Sequence, residues 1–164
     1  MRTLREFIKD AEQKKIAIGH FNISDITAFH AIVFAALKLK LPVLIGLSEG
    51  ERKFFGTKEA SALVRSLREQ NLPVFLNADH CHTFESVKEA VEAGFDSVIF
   101  DGAQLPFEEN LQKTREAVAL VKSMNPRVLV EGEVGYIGAS SQLLDKLPEG
   151  AATTLAQFTT LEQA

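Results

Sequence analysis

Residues 73–101 read PVFLNADHCHTFESVKEAVEAGFDSVIFD, and two changes of period divide them. An apolar run from Pro73 ends on the polar group Asp79-His80, and a second, from Asp96, ends on Asp101. Between them, Thr83–Ala93 carries apolar residues three and four apart, which predicts a helix. Thr83, with Ser86 nearby, opens that helix, and Gly94 stops it where a left-handed residue is wanted. Strand, helix, strand with short connections is the unit of a parallel α/β sheet.

The same alternation extends in both directions. Further strands are expected near Ile16–Asn22, Pro42–Ser48 and Arg127–Glu133, with helices near Ile23–Lys40, Lys58–Glu69 and Leu105–Ser123. Asn22 or Ser24 is expected to cap the first of these helices. The opening MRTLREFIKDAEQKK also has helical spacing, and GYIGASSQLLDKLPEGAATT, from Gly135, reads as a long Gly-rich loop. Neither a linker nor a low-complexity tract divides the chain before about residue 135, so 1–164 reads as one domain.

Each strand ends on a polar residue: Asn22, Ser48, Asp79-His80, Asp101 and Glu133. The carboxyl ends of parallel strands are where α/β folds bind ligands and do chemistry. The four steps from Asn22 to Glu133 average about 28 residues, close to the roughly 30 per unit of a (β/α)8 TIM barrel. The rival, a doubly wound five-strand sheet, usually places a Gly-rich phosphate turn after its first strand. Here that position holds GHFNISD, residues 19–25, with no GxGxxG and no Walker lysine. The reading is therefore a TIM barrel of which the first five β/α units are present.

Composition narrows the partners. Eighteen Lys and Arg against 22 Asp and Glu give a net charge of −4, and the basic residues are scattered, which argues against nucleic acid. The longest apolar run, Ala31–Leu37, is far short of the roughly 20 residues that span a bilayer. The N-terminus lacks the apolar core of a signal peptide and Cys81 is the single cysteine, so a reducing, cytoplasmic setting is expected.

Strand alternation places Asn77 and Asp79 on one face of the third strand, and Glu131 and Glu133 on one face of the fifth. Unpaired carboxylates gathered in one interior are costly, and a metal ion is the simplest compensation. Asp79-His80-Cys81-His82, with Asp101 and Glu133 from neighbouring strand ends, offers the imidazole and carboxylate ligands that suit zinc. Structural readings stand beside these. Glu131 and Glu133 can form a solvated edge pair, His80 and His82 can belong to a helix-capping loop, and Cys81 reads as a small buried residue. Ser48 can cap a turn, Asn22 can be an N-cap, and His20 and His30 receive no role.

LPVFLNADHC (72–81), then TFESVKEAVEAGFDSVIFDGAQLPFEENLQKTREAV (83–118) and VLVEGEVGYIG (128–138), resemble the class II, metal-dependent fructose- and tagatose-bisphosphate aldolases. AIGHFNISD and LPVLIGLSEGERKFFG, from Ala17 and Leu41, fall in the same order as that family's strand ends. The resemblance implies a (β/α)8 barrel that reversibly cleaves a ketose bisphosphate, fructose or tagatose 1,6-bisphosphate, to glycerone phosphate and glyceraldehyde 3-phosphate. It implies His80 as a zinc ligand, Asp79 as the acid/base at the C4 hydroxyl, and Asp101 and Glu133 at a second metal position, with Glu131 assisting. Asn22 and Ser48 resemble substrate-contacting positions, and a homo-oligomer, dimer or tetramer, is implied for the full-length protein.

Two positions depart from the family pattern: Asn77 stands where a histidine is common, and Gly138-Ala139-Ser140-Ser141 stands where the loop usually carries an acid. The family's remaining zinc histidines and its phosphate grips come from strands six to eight, which implies a truncated barrel here. The alternative expectation is a non-catalytic α/β domain that binds a metal or a sugar phosphate.

Overall fold

The computed structural model describes residues 2–136, 146 and 159–163. Most of the Gly-rich loop expected from Gly135, including Gly138–Ser141, lies outside the described residues. The elements run α1 (Leu4–Lys14), β1 (Gly19–Asn22), α2 (Ile26–Leu39), β2 (Val43–Leu47), α3 (Glu49–Phe55) and α4 (Thr57–Glu69). They continue with β3 (Val74–Cys81), α5 (Phe84–Ala93), β4 (Ser97–Phe100), α6 (Phe107–Met124) and β5 (Leu129–Gly132).

The five strands are parallel and lie in chain order, β1-β2-β3-β4-β5. A doubly wound sheet reverses its order at a switch point, and this one does not. With right-handed crossovers, an unreversed order puts every connecting helix on one face, as in a barrel wall.

That outer face holds the core. Val43, Ile45 and Leu47 of β2, Val74, Leu76 and Ala78 of β3, and Val98 and Phe100 of β4 alternate toward the helices. Phe29 and Val33 of α2, Ala60 and Val64 of α4, Val87 and Ala90 of α5, and Ala117 and Val121 of α6 cover them. The opposite, inner face carries the intervening residues, including Gly46, Phe75, Asn77, Asp79 and Ser97. α1 closes its amino-terminal end, with the Phe7 and Phe75 rings 5.5 Å apart.

Local chemistry explains three departures from the expected boundaries. Asp25, rather than Asn22 or Ser24, caps α2: its carboxylate accepts from the Ala28 N–H at 2.8 Å. This leaves the Asn22 amide free to act elsewhere. The segment before α4 contains the unanticipated short helix α3, started by a reciprocal capping box between Ser48 and Glu51. β3 runs on to Cys81 through a register shift between Ala78 and Cys81. Among the described residues no helix is long and apolar enough to cross a membrane.

Candidate metal centre

The register shift at the end of β3 decides the site. Strict alternation would send Asp79 to the inner face and His80 back toward the helices. The irregularity instead puts His80 in the left-handed region, at φ 50°, while Cys81 rejoins the buried outer core. Both Asp79 and His80 therefore face the inner mouth of the sheet.

Neighbouring strand ends deliver the acids. His80 Nδ1 lies 2.9 Å from Asp101 Oδ2, just past β4, and 3.1 Å from Glu133 Oε2, just past β5. On the other side of the ring, Nε2 is 3.7 Å from Asp79 Oδ1. From β1, the Asn22 amide donates to Asp79 Oδ2 at 2.7 Å. His82 approaches Asp101 Oδ2 to 3.6 Å, and a cleft of about 500 Å³ lined in part by His82, Thr83, Gln104 and Lys113 opens beside Asp101.

Charge is unbalanced here. Burial alone would lower the His80 pKa, but the hydrogen bond its ring donates to Asp101 and the charges of Asp79, Glu133 and Asp101 outweigh it and raise it. The Glu133 carboxyl is also raised, first by burial and then by repulsion from Asp101, against the attraction of His80. One imidazolium cannot neutralise three acids. Ligand atoms of His80, Asp101 and Glu133 lie within 4.8 Å of one another, so a nitrogen and two carboxylate oxygens converge where a divalent cation would relieve the excess negative charge.

The other expected residues are placed less centrally. Glu131 is exposed on β5. Ser48, at the end of β2, uses its hydroxyl to accept from the Glu51 N–H at 3.4 Å and so caps α3. Asn77, 2% exposed, donates to Ser97 Oγ at 2.8 Å, and its Oδ1 has no hydrogen-bond partner among the described residues. Cys81 is buried, as expected, and burial pushes its thiol pKa up.

Sequence reasoning missed Gly46, Asn110 and Arg52. A Cβ on Gly46 would stand 2.2 Å from Asn22 Oδ1 and 2.3 Å from His20 Nε2, so the glycine makes room for the residue that holds Asp79. Asn110, 4% exposed on α6, donates to the Glu133 carbonyl at 2.7 Å. Its spacing from Ala117 and Val121 puts it on the helix's buried stripe, and that was the available signal.

Residues 2–164 match the family model described as Fructose-bisphosphate aldolase class-II. A probable fructose-bisphosphate aldolase of Bacillus subtilis (strain 168) is 36% identical over 152 residues, which are 90% of this chain and 52% of the relative. A Geobacillus stearothermophilus fructose-bisphosphate aldolase is likewise 36% identical, with the same coverage. The crystal structure of the YdjI aldolase from Escherichia coli K12 superposes with a TM-score of 0.73 at 29% identity, over 86% of this chain and 54% of that one. The chain thus spans about half the length of the curated relatives it matches, and it belongs to the class II fructose-bisphosphate aldolase family.

Proposed function

We propose that residues 1–164 form one unit, the first five β/α units of an aldolase barrel. That unit contributes metal-holding and proton-handling groups to the reversible cleavage of a ketose bisphosphate into glycerone phosphate and glyceraldehyde 3-phosphate. The observation that carries this reading is the His80 ring held between Asp101 and Glu133 on one edge and Asp79 on the other.

His80, Asp101 and Glu133 would hold the cation; the family resemblance favours zinc, and a nitrogen-and-carboxylate donor set also admits cobalt, manganese or iron. When bound, the cation supplies a Lewis acid that polarises the substrate carbonyl. Asp79 takes the proton of the C4 hydroxyl as the C3–C4 bond breaks. That bond's electron pair stays with the glycerone phosphate half, the C4 oxygen becomes the aldehyde, and the reverse reaction returns the proton. Asn22 keeps the Asp79 carboxylate oriented and, beside Ser48 at the strand ends, faces the substrate. No lysine is required for a Schiff base.

The test is a hybrid in which this chain replaces the matching half of a relative's barrel. Its cleavage of fructose and tagatose 1,6-bisphosphates is followed by coupled oxidation of NADH. The hybrid should be active with zinc, and Asp79→Asn should lower kcat by about 10²–10⁴, the range of a positioned acid/base group. A folded, active hybrid indifferent to Asp79→Asn would overturn the assignment.

A further inference from the structure

α3 carries a buried arginine that the proposed chemistry does not use. Arg52 is 5% exposed and its four hydrogen-bond partners are all neutral, while its charge reaches the Glu49 carboxylate and helps to hold that acid's pKa down. Nη1 donates to the Leu47 carbonyl at 2.5 Å and to the Asp79 carbonyl at 3.2 Å. Nη2 donates to Cys81 Sγ at 3.4 Å and to Ser86 Oγ at 2.9 Å. Even with a carboxylate nearby, a buried guanidinium gains little stability over a well-packed apolar side chain of similar volume. What the guanidinium supplies instead is a rigid fork that reaches several acceptors at once.

Those acceptors bracket the register shift. The Asp79 carbonyl and the Cys81 sulfur flank His80, the residue with φ 50°, and Ser86 lies in the first turn of α5. A non-glycine residue in the left-handed region needs surroundings that hold it there. A second group on α3 grips the same turn: Glu49 Oε1 accepts from the His82 N–H at 3.1 Å. On the far side, the Asp101 N–H donates to the Cys81 carbonyl at 2.9 Å, which ties the turn to β4.

We infer that Arg52 is a positioning residue. From behind the sheet it locks the Asp79–Cys81 turn, and so sets the His80 ring against Asp101 and Glu133 and the Asp79 carboxylate beside it. Its consequence for metal binding rests on the reading of the site given above; its effect on the turn does not.

The test uses the 164-residue chain with Arg52→Met, which keeps an apolar stem but no donor, and Arg52→Lys, which keeps one charged donor group. Three quantities are read: amide hydrogen exchange over residues 79–82, the NMR shifts of the His80 ring, and zinc affinity by calorimetry. Arg52→Met should speed exchange over 79–82, move the ring shifts and weaken zinc by about 10- to 100-fold, the usual cost of losing a group that orients a ligand. Arg52→Lys should recover part of all three.

A folded Arg52→Met chain with parental ring shifts and zinc affinity overturns the proposal, whatever its exchange. If Arg52→Met does not fold, Arg52→Lys decides: parental values in all three measurements overturn it, because a single ammonium cannot reproduce the fork. His80→Ala is run in parallel. If it leaves zinc affinity unchanged while Arg52→Met still loosens 79–82 and moves the His80 ring, the metal-centre reading fails and the positioning role stands.

Discussion

His80 Nδ1 sits 2.9 Å from Asp101 Oδ2 and 3.1 Å from Glu133 Oε2, so a single ring nitrogen serves carboxylates from two successive strands. It has at most one proton to share between them. The second carboxylate is then short of a donor, and Asp79 adds a further charge across the ring. Without a cation, this arrangement draws protons in.

The metal-free chain should therefore titrate its His80 imidazole above the ordinary value of 6.5, and Asp101→Asn should move that midpoint down. Because the folded-state pKa is raised, the stabilisation that protonated His80 contributes is complete below about pH 6.5 and is lost as pH rises through the folded value. The difference in unfolding free energy between the parent and His80→Gln should shrink across that interval. NMR titration of the ring and urea unfolding at several pH values check both statements.

Gly46→Ala should uncouple Asn22 from Asp79. The added methyl would fall 2.2 Å from Asn22 Oδ1, and the amide, as the tip of a side chain, would swing away from its 2.7 Å bond to Asp79. Loss of that charge-assisted bond should cost about 1.5–3 kcal/mol, less whatever water restores at this partly exposed site. In an Asn22→Ala background the same substitution should cost only what displacing the exposed His20 ring costs. A double-mutant cycle by chemical unfolding measures the coupling.

Asn110→Ala should destabilise the chain by about 1–3 kcal/mol, because the Glu133 carbonyl loses its donor at 2.7 Å inside a packed helix–sheet contact. Asn110→Asp should cost more, since a carboxylate facing that carbonyl cannot donate. Gly102→Ala should behave similarly, its Cβ meeting Asn110 Oδ1 at 2.3 Å. Each variant should also weaken zinc binding by displacing Glu133, which calorimetry would detect.

Zinc at about 100 times its dissociation constant should stabilise the folded chain by about 2.7 kcal/mol, and a chelator should reverse the effect. His80→Ala or Glu133→Ala should abolish the zinc-induced rise in melting temperature while leaving a folded chain. A rise retained in both variants would place the cation elsewhere.

Much of the barrel architecture was legible in one dimension. Apolar runs ending on Asn22, Ser48, Asp79-His80, Asp101 and Glu133 marked five strands and the end of the sheet where polar groups collect, because alternating burial and abrupt polarity are local properties. Helix α3 was less visible, although Ser48-Glu49-Gly50-Glu51 is the spacing of a capping box. At seven residues it is too short to show a period. Arg52 was hidden for a related reason: a buried polar side chain on a short helix looks like a surface residue until its acceptor, on a distant strand, is known, whereas Asn110 was marked only by its place on the buried stripe of α6.

By itself, then, the sequence determined the alternation of strands and helices, the polar strand ends and the family. Tertiary structure decided which of those ends meet. Unreversed parallel order placed β3, β4 and β5 side by side and brought Asp101, 21 residues from His80 in the chain, within 2.9 Å of its ring. It also decided that Asp79 and His80 face the same way. Two-residue alternation forbids that for adjacent strand positions, and only the register shift between Ala78 and Cys81, gripped from behind by Arg52, permits it.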